Sequence, residues 1–210
     1  HVCKHSCLLS SARFDSWLYL SSTRVYGNMP YNTLANEDSV IPVRISADSV
    51  YDLSKLMGEA ICLALQDKNI RVVRLSNVYG TGQSERTFLG SIIYELNKDK
   101  NVVIQESADS VKDYVSLTDV MKLVELIAIS GKERIYNIAS GTSISHEKLA
   151  KKLMEISGGS ITFIDNSKAR IFPMIDISRI KKEFGFVALN LLDDLPEMVD
   201  LTGHQNKTGK

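Results

Sequence analysis

Short apolar runs alternate along the chain with longer stretches in which apolar positions recur every three or four residues. Residues 17–20 form an apolar run stopped by Ser21-Ser22-Thr23, and a polar loop follows to about residue 49. Residues 51–68 have helical spacing, and 70–75 form a second apolar run that ends at Ser76-Asn77. Strand, crossover helix and strand in that order predict a parallel pair, and wholly apolar strands predict a sheet covered on both faces. Beyond Gly80 the texture changes. The pattern predicts a helix over 87–98, strands over 102–105 and 113–116, and a strongly amphipathic helix over 118–130 closed by Gly131. A strand over 134–139, a helix N-capped by Ser145 and stopped by Gly158-Gly159, and a strand over 161–164 follow. Short helices over 178–184 and 195–201 precede a solvated tail at 203–210. The fold class is therefore α/β, with a main parallel sheet and a smaller, more mixed lobe.

Composition narrows the possible partners. The 210 residues carry 25 basic and 25 acidic side chains, with a pI near 7.1. That balance lacks the charge excess of a nucleic-acid or anionic-membrane binder. Hydrophobic residues at 44% and charged residues at 24% describe an ordinary globular chain. No apolar run approaches the roughly 20 residues that span a bilayer. Cys3, Cys7 and Cys62 are too few and too uneven for a disulfide framework, and no apolar leader is visible, so a reducing, cytoplasmic location is expected. His1, Cys3, His5 and Cys7 alternate, but without a C-x-x-C knuckle or a second ligand pair nearby. The expectation is no metal site.

The candidate chemistry lies at Tyr51-Asp52-Leu53-Ser54-Lys55. Tyr and Lys four apart share one helix face. The spacing alone carries little, since Tyr94 and Lys98 repeat it. Context separates them: Tyr51 opens a helix between two apolar strands, and the first of those strands ends in a hydroxyl cluster. Ligands of open α/β sheets bind outside the carboxyl ends of the strands, which is where Ser22 and the start of the Tyr51 helix fall. A lysine ammonium about 4 Å from a phenol favours the phenolate by about 4 kcal/mol at an effective dielectric near 20. Tyr51 would then move a proton on a substrate oxygen that Ser22 holds, while hydride moves between the adjacent carbon and a nicotinamide.

Six segments in a fixed order resemble the NAD-dependent epimerase/dehydratase type of extended short-chain dehydrogenase/reductases, which act mostly on nucleotide sugars. They are SSTRVYG (21–27), YDLSKLMGE (51–59), RVVRLSNVYGTG (71–82), KDYVSLTDV (112–120), YNIASGTSIS (136–145) and DISRIKKEFGF (176–186). The resemblance implies a Rossmann-type sheet over 1–82 and 111–138, lacking its N-terminal part, and a substrate-binding lobe over 83–110 and 139–202. It implies NAD or NADP as cofactor and a nucleotide sugar as substrate. By position, Ser22 matches the catalytic hydroxyl with Thr23 as alternate, Tyr51 the acid or base, and Lys55 the residue that tunes Tyr51 and contacts the nicotinamide ribose. Ser76 matches a cofactor contact; Asn77, Lys112 and Arg170 match ligands of the substrate's diphosphate. The 4,6-dehydratases follow their catalytic Thr with Asp-Glu, whereas Ser22 is followed by Thr23-Arg24. Epimerase or ketosugar reductase is therefore the better expectation, and a non-catalytic binder of nucleotide sugar or of a protein partner is the alternative. The resemblance also implies a homodimer through the 51–68 helix. The glycine-rich pyrophosphate turn is absent from these residues. With the first strand here as the family's fifth, roughly 90–120 residues at about 30 per βαβ unit are expected ahead of His1.

Overall fold

The computed structural model describes residues 7–9, 11–66, 69–164 and 167–205, with side chains through residue 200. His1, Cys3 and His5 lie outside the described residues, and Cys7 is exposed. Three parallel strands form the main sheet in the order β1 (Trp17–Ser22), β3 (Ile70–Leu75), β7 (Ile135–Ile138). Trp17 pairs with Ile70 and Ser22 with Leu75; Val72 pairs with Ile135. Helix α1 (Val50–Ala64) crosses from the region of β1 to β3, as the periodicity predicts. Residues 67 and 68, at the end of the expected helix, lie outside the described residues.

Period-2 alternation along β3 assigns its two faces. Ile70 and Val72 join a cluster with Trp17, Tyr19, Ile61 and Cys62, on the α1 side. Val73 and Leu75 join a second cluster with Val120, Leu123 and Ile127 of α3 (Leu117–Ser130). The sheet is covered on both faces, which is why its strands carry no polar alternation. At Gly58 the helix approaches the sheet so closely that a Cβ would lie 2.2 Å from the Tyr19 ring. Helix α1 is apolar nearly all round, but only Gly58, Glu59 and Cys62 are buried, and Val50, Met57 and Leu63 are exposed. The sheet covers one face, and nothing among the described residues covers the other.

The second lobe is built around β4 (Asn77–Tyr79), β6 (Val111–Ser116) and β8 (Ser143–Ser145), with β6 parallel to β4 and antiparallel to β8. A parallel pair, β5 (Asn101–Ile104) and β9 (Ser160–Phe163), lies beside it. Helices α2 (Phe88–Asp99), α4 (His146–Ser157) and α6 (Leu191–Gln205) contribute Leu96, Leu153 and Leu195 to its core. Ser145 caps α4 as expected, accepting from the Lys148 N–H at 3.1 Å. Helix α6 begins earlier than expected because Asn190 accepts from the Leu192 N–H and Asp193 and Asp194 fill the first turn. It also runs to Gln205, so residues 203–205 belong to this helix and not to a tail; 206–210 lie outside the described residues. Among the described residues no helix is long and apolar enough to cross a membrane.

Several of the family-like segments turn out to be stitching. Asn137 in β7 donates to the carbonyls of Ala35 and Asp176, and so joins the small parallel pair β2 (Leu34–Ala35) and β10 (Met174–Ile175) to the main sheet. Asp113 accepts from the N–H and hydroxyl of Ser140 and from the Thr142 N–H, clamping a turn whose Gly141 has φ +75°. Burial pushes Asp113 up in spite of those hydrogen bonds.

His146 is buried and stacks on Phe88 at 4.3 Å. Burial, reinforced by the Lys112 ammonium, pushes it down to about 4. The unfolded chain therefore takes up a proton between about pH 6.5 and 4 that the folded chain refuses, so stability is lost as pH falls through that window. Urea titrations across it should show wild type losing about 3 kcal/mol more than His146→Leu. Parallel curves for the two proteins would contradict this.

Candidate functional site

The carboxyl end of β1 turns directly into a single 3-10 turn, Thr23–Tyr26. Ser22 caps that turn, its Oγ accepting from the Arg24 N–H at 3.2 Å. Its hydroxyl proton remains available to a ligand. Thr23 is the more buried of the two hydroxyl residues. Helix α1 packs against the same turn, which brings its first residues to the strand end. Lys55 donates from Nζ to the Leu20 carbonyl at 2.9 Å, with its ammonium 5.6 Å from the centre of the Tyr51 ring. Ser22, Thr23, Tyr51 and Lys55 are thus gathered at one strand end by elements separated in sequence by a long loop.

One helical stripe explains the placement. Tyr51, Lys55 and Glu59 succeed each other at four-residue spacing, from the open end of the site inward to the core. Glu59 is buried and forms a fork with the buried Arg74 of β3, at 2.7 Å from Nη2 and 3.1 Å from Nε. Ser21 donates its hydroxyl to the same carboxylate, and Arg74 donates to the Tyr26 hydroxyl at 2.6 Å. The pair therefore ties α1, β1, the 3-10 turn and β3 together one layer beneath Ser22 and Tyr51.

The residues matched to phosphate ligands lie on the second lobe. Asn77, exposed at the start of β4, donates to the Asp113 carbonyl at 2.8 Å. Ser76, just before it, is buried. Lys112 and Arg170 are neighbours through the backbone, where the Val111 N–H donates to the Arg170 carbonyl. Lys112 itself is largely enclosed: its Nζ lies 3.3 Å from Glu106 Oε1 and 3.5 Å from the centre of the Phe88 ring. Burial pushes its ammonium down, the nearby Arg170 and Arg24 add to that, and Glu106 works the other way.

Two further cations that the sequence did not single out stand near Tyr51. Arg24 lies 4.9 Å above the Tyr51 ring with its Nε 3.1 Å from Asp52. With Arg44 and Arg170 it lines a cleft of about 740 Å³ that also exposes Tyr51. A cleft of this size suits a small-molecule ligand, and its three guanidiniums, set against the carboxylates of Asp48 and Asp52, leave a net positive lining that suits an anionic one. The signal for Arg24 was its place after the Ser22 hydroxyl cluster. Arg44 sits in an irregular loop, with no periodicity to reveal it.

Known proteins bear on this arrangement. A dTDP-glucose 4,6-dehydratase of Streptomyces griseus is 27% identical over 194 residues, covering 88% of this chain and 57% of the relative. A dTDP-4-dehydro-6-deoxyglucose reductase of Escherichia coli is 34% identical over 193 residues, covering 83% and 56%. The chain thus spans little more than half the length of these relatives. The structure of a dTDP-glucose 4,6-dehydratase from Bacillus anthracis in complex with NAD superposes with a TM-score of 0.82 at 18% identity, covering 99% of this chain and 67% of the other. The model of the NAD dependent epimerase/dehydratase family matches residues 6–139. With the Rossmann-type sheet and the Tyr51 helix in place, the chain belongs to the NAD-dependent epimerase/dehydratase family.

Proposed function

We propose that the chain carries the substrate-binding and proton-transferring part of a nucleotide-sugar epimerase or ketosugar reductase that works with NAD or NADP. The observation that carries this reading is the pinning of Lys55 to the Leu20 carbonyl beside Tyr51, at the end of the strand that presents Ser22. In this reading the sheet of β1, β3 and β7 with α1 and α3 forms the cofactor side, and the lobe built around β4, β6 and β8 the substrate side. The relatives named above act on dTDP-sugars, which supports a nucleotide sugar here.

The donor set fits the nicotinamide end of the cofactor. Lys55 uses one of its three N–H groups on Leu20, leaving two for the hydroxyls of a ribose. The bound nicotinamide would supply or accept the hydride. Tyr51 moves a proton at its phenolic oxygen, to or from the sugar oxygen on the reacting carbon. Ser22 donates its hydroxyl proton to that same oxygen and orients it, because its acceptor side is occupied by the Arg24 N–H. Asn77 and Arg170, with Lys112, hold the diphosphate. Elimination of water requires a free acid and base beside the sugar. Asp52 adjoins Tyr51 in the cleft lining, and it is ion-paired to Arg24; that pairing favours epimerisation or reduction over dehydration.

Tyr51→Phe should lower turnover of a dTDP-4-keto sugar by 10²- to 10⁴-fold, followed through nicotinamide absorbance, while calorimetric affinity for dTDP-glucose stays within about twofold. Binding of dTDP-glucose by a wild-type protein that turns over no such sugar would contradict the catalytic reading and favour a binding protein.

The open face of α1, with Val50, Met57 and Leu63 exposed, is the surface proposed for a homodimer. Light scattering at micromolar concentration should give twice the chain mass for wild type and a monomer for Met57→Glu, since a buried carboxylate without a partner is strongly disfavoured. A wild-type monomer would contradict the dimer.

A further inference from the structure

Arg24 is the one guanidinium of the cleft that stands against the catalytic tyrosine. Its Nε lies 3.1 Å from Asp52 Oδ1, an ion pair without hydrogen-bond alignment. The guanidinium stands over the Tyr51 ring, 4.9 Å from its centre. The two Nη groups have no acceptor among the described residues, and 52% of the side chain is exposed to the cleft. The other two guanidiniums differ. Arg170 is joined through the backbone to the Lys112 strand, and Arg44 lies on the loop before α1; neither has an ion-pair partner among the described residues. A diphosphate linking a nucleoside to a sugar carries two charges, and Arg170 with Asn77 and Lys112 already matches that group. Arg24 is therefore a surplus cation, held at the end of the cleft where the sugar reacts.

We propose that Arg24 is a specificity residue that receives an oxyanion carried by the sugar itself, a carboxylate on the carbon next to the ring, so that the preferred substrates are nucleotide-linked uronic acids. The proposal rests on the nucleotide-sugar reading above and adds the class of sugar. The free Nη edge presents two parallel N–H donors, the geometry that a carboxylate meets with both oxygens. A hydroxymethyl or methyl group at the same place would leave that edge to water.

An anion in this cleft has two sources, the sugar carboxylate and the diphosphate, and three ligands separate them. UDP, UDP-glucose and UDP-glucuronate share the nucleoside diphosphate, and the last two differ only in the hydroxymethyl or carboxylate group. Calorimetry on the wild-type chain should show UDP-glucuronate binding at least about tenfold more tightly than UDP-glucose, the scale of a hydrogen bond to a charged group. Arg24→Ala should abolish that preference while changing UDP and UDP-glucose affinity by no more than about twofold. Arg24→Lys, which keeps the charge and loses the fork, should retain part of the preference. Asp52→Asn should keep most of it, since Asp52 does not meet the ligand and makes no hydrogen bond that aligns Arg24. Equal weakening of all three ligands by Arg24→Ala would place Arg24 on the diphosphate and overturn the proposal. A wild type without preference for UDP-glucuronate, or an Asp52→Asn protein that loses the preference as fully as Arg24→Ala, would overturn it too. Those results leave the nucleotide-sugar reading standing. A chain that binds none of the three ligands overturns this proposal, and one that also fails to bind dTDP-glucose overturns the nucleotide-sugar reading with it.

Discussion

A single buried ion pair, Glu59 with Arg74, determines where Ser22, Tyr51 and Lys55 stand. Both side chains are almost wholly enclosed, 5% and 4% exposed, so neither charge is tolerable without the other. The fork between them leaves the helix one rotational setting against β3. That setting sends Lys55 to the Leu20 carbonyl one turn earlier, and Tyr51 to the mouth of the cleft one turn earlier still. Ser21 completes the carboxylate's shell from the last turn of β1, adjacent to Ser22. The same guanidinium reaches the Tyr26 hydroxyl, which donates to Asn137 at 2.9 Å and so links the pair to β7. Position of the site and integrity of the core are therefore one constraint.

Above that layer the structure becomes open and cationic. Arg24, Arg44 and Arg170 converge on the cleft from the 3-10 turn, the loop before α1 and the loop after β9. Lys112 is set back, sheltered by Glu106 and Phe88. A buried frame with solvated cations at its surface is a common division of labour: the frame positions the groups set into it, and the long basic side chains reach toward a ligand. Arg24 differs from the other two in its ion pair with Asp52.

The main sheet was legible in the sequence because β1 and β3 are short, mainly apolar runs flanked by hydroxyl and amide residues, although β3 also carries the buried Arg71 and Arg74. Helices α2, α3 and α4 were legible from amphipathic spacing, α4 also from its cap at Ser145; the caps at Thr87 and Ser116 emerge only in the structure. The short strands β2, β8 and β10 were not, since two or three residues carry no periodicity and their pairing depends on partners distant in sequence. Residue types and order singled out Tyr51, Lys55 and Ser22, and the structure brings them to one strand end. What the sequence could not supply was charge pairing. Nothing local marks Asp52 as the partner of Arg24, Glu106 as the partner of Lys112, or the outer face of α1 as open. The motif residues Asp113 and Asn137 hold turns and strands together, a function indistinguishable in sequence from a role in binding.

The dependence of the site on the buried pair is open to direct measurement. A double-mutant cycle on Glu59→Gln and Arg74→Met, read by urea unfolding, isolates the coupling between the two side chains. Each single substitution leaves one group enclosed without its partner and should cost about 3–5 kcal/mol. The double substitution should cost less than the sum of the two by more than about 1 kcal/mol. Additivity within about 0.5 kcal/mol would show that the two residues act independently, and that some other contact sets the register of the Tyr51 helix.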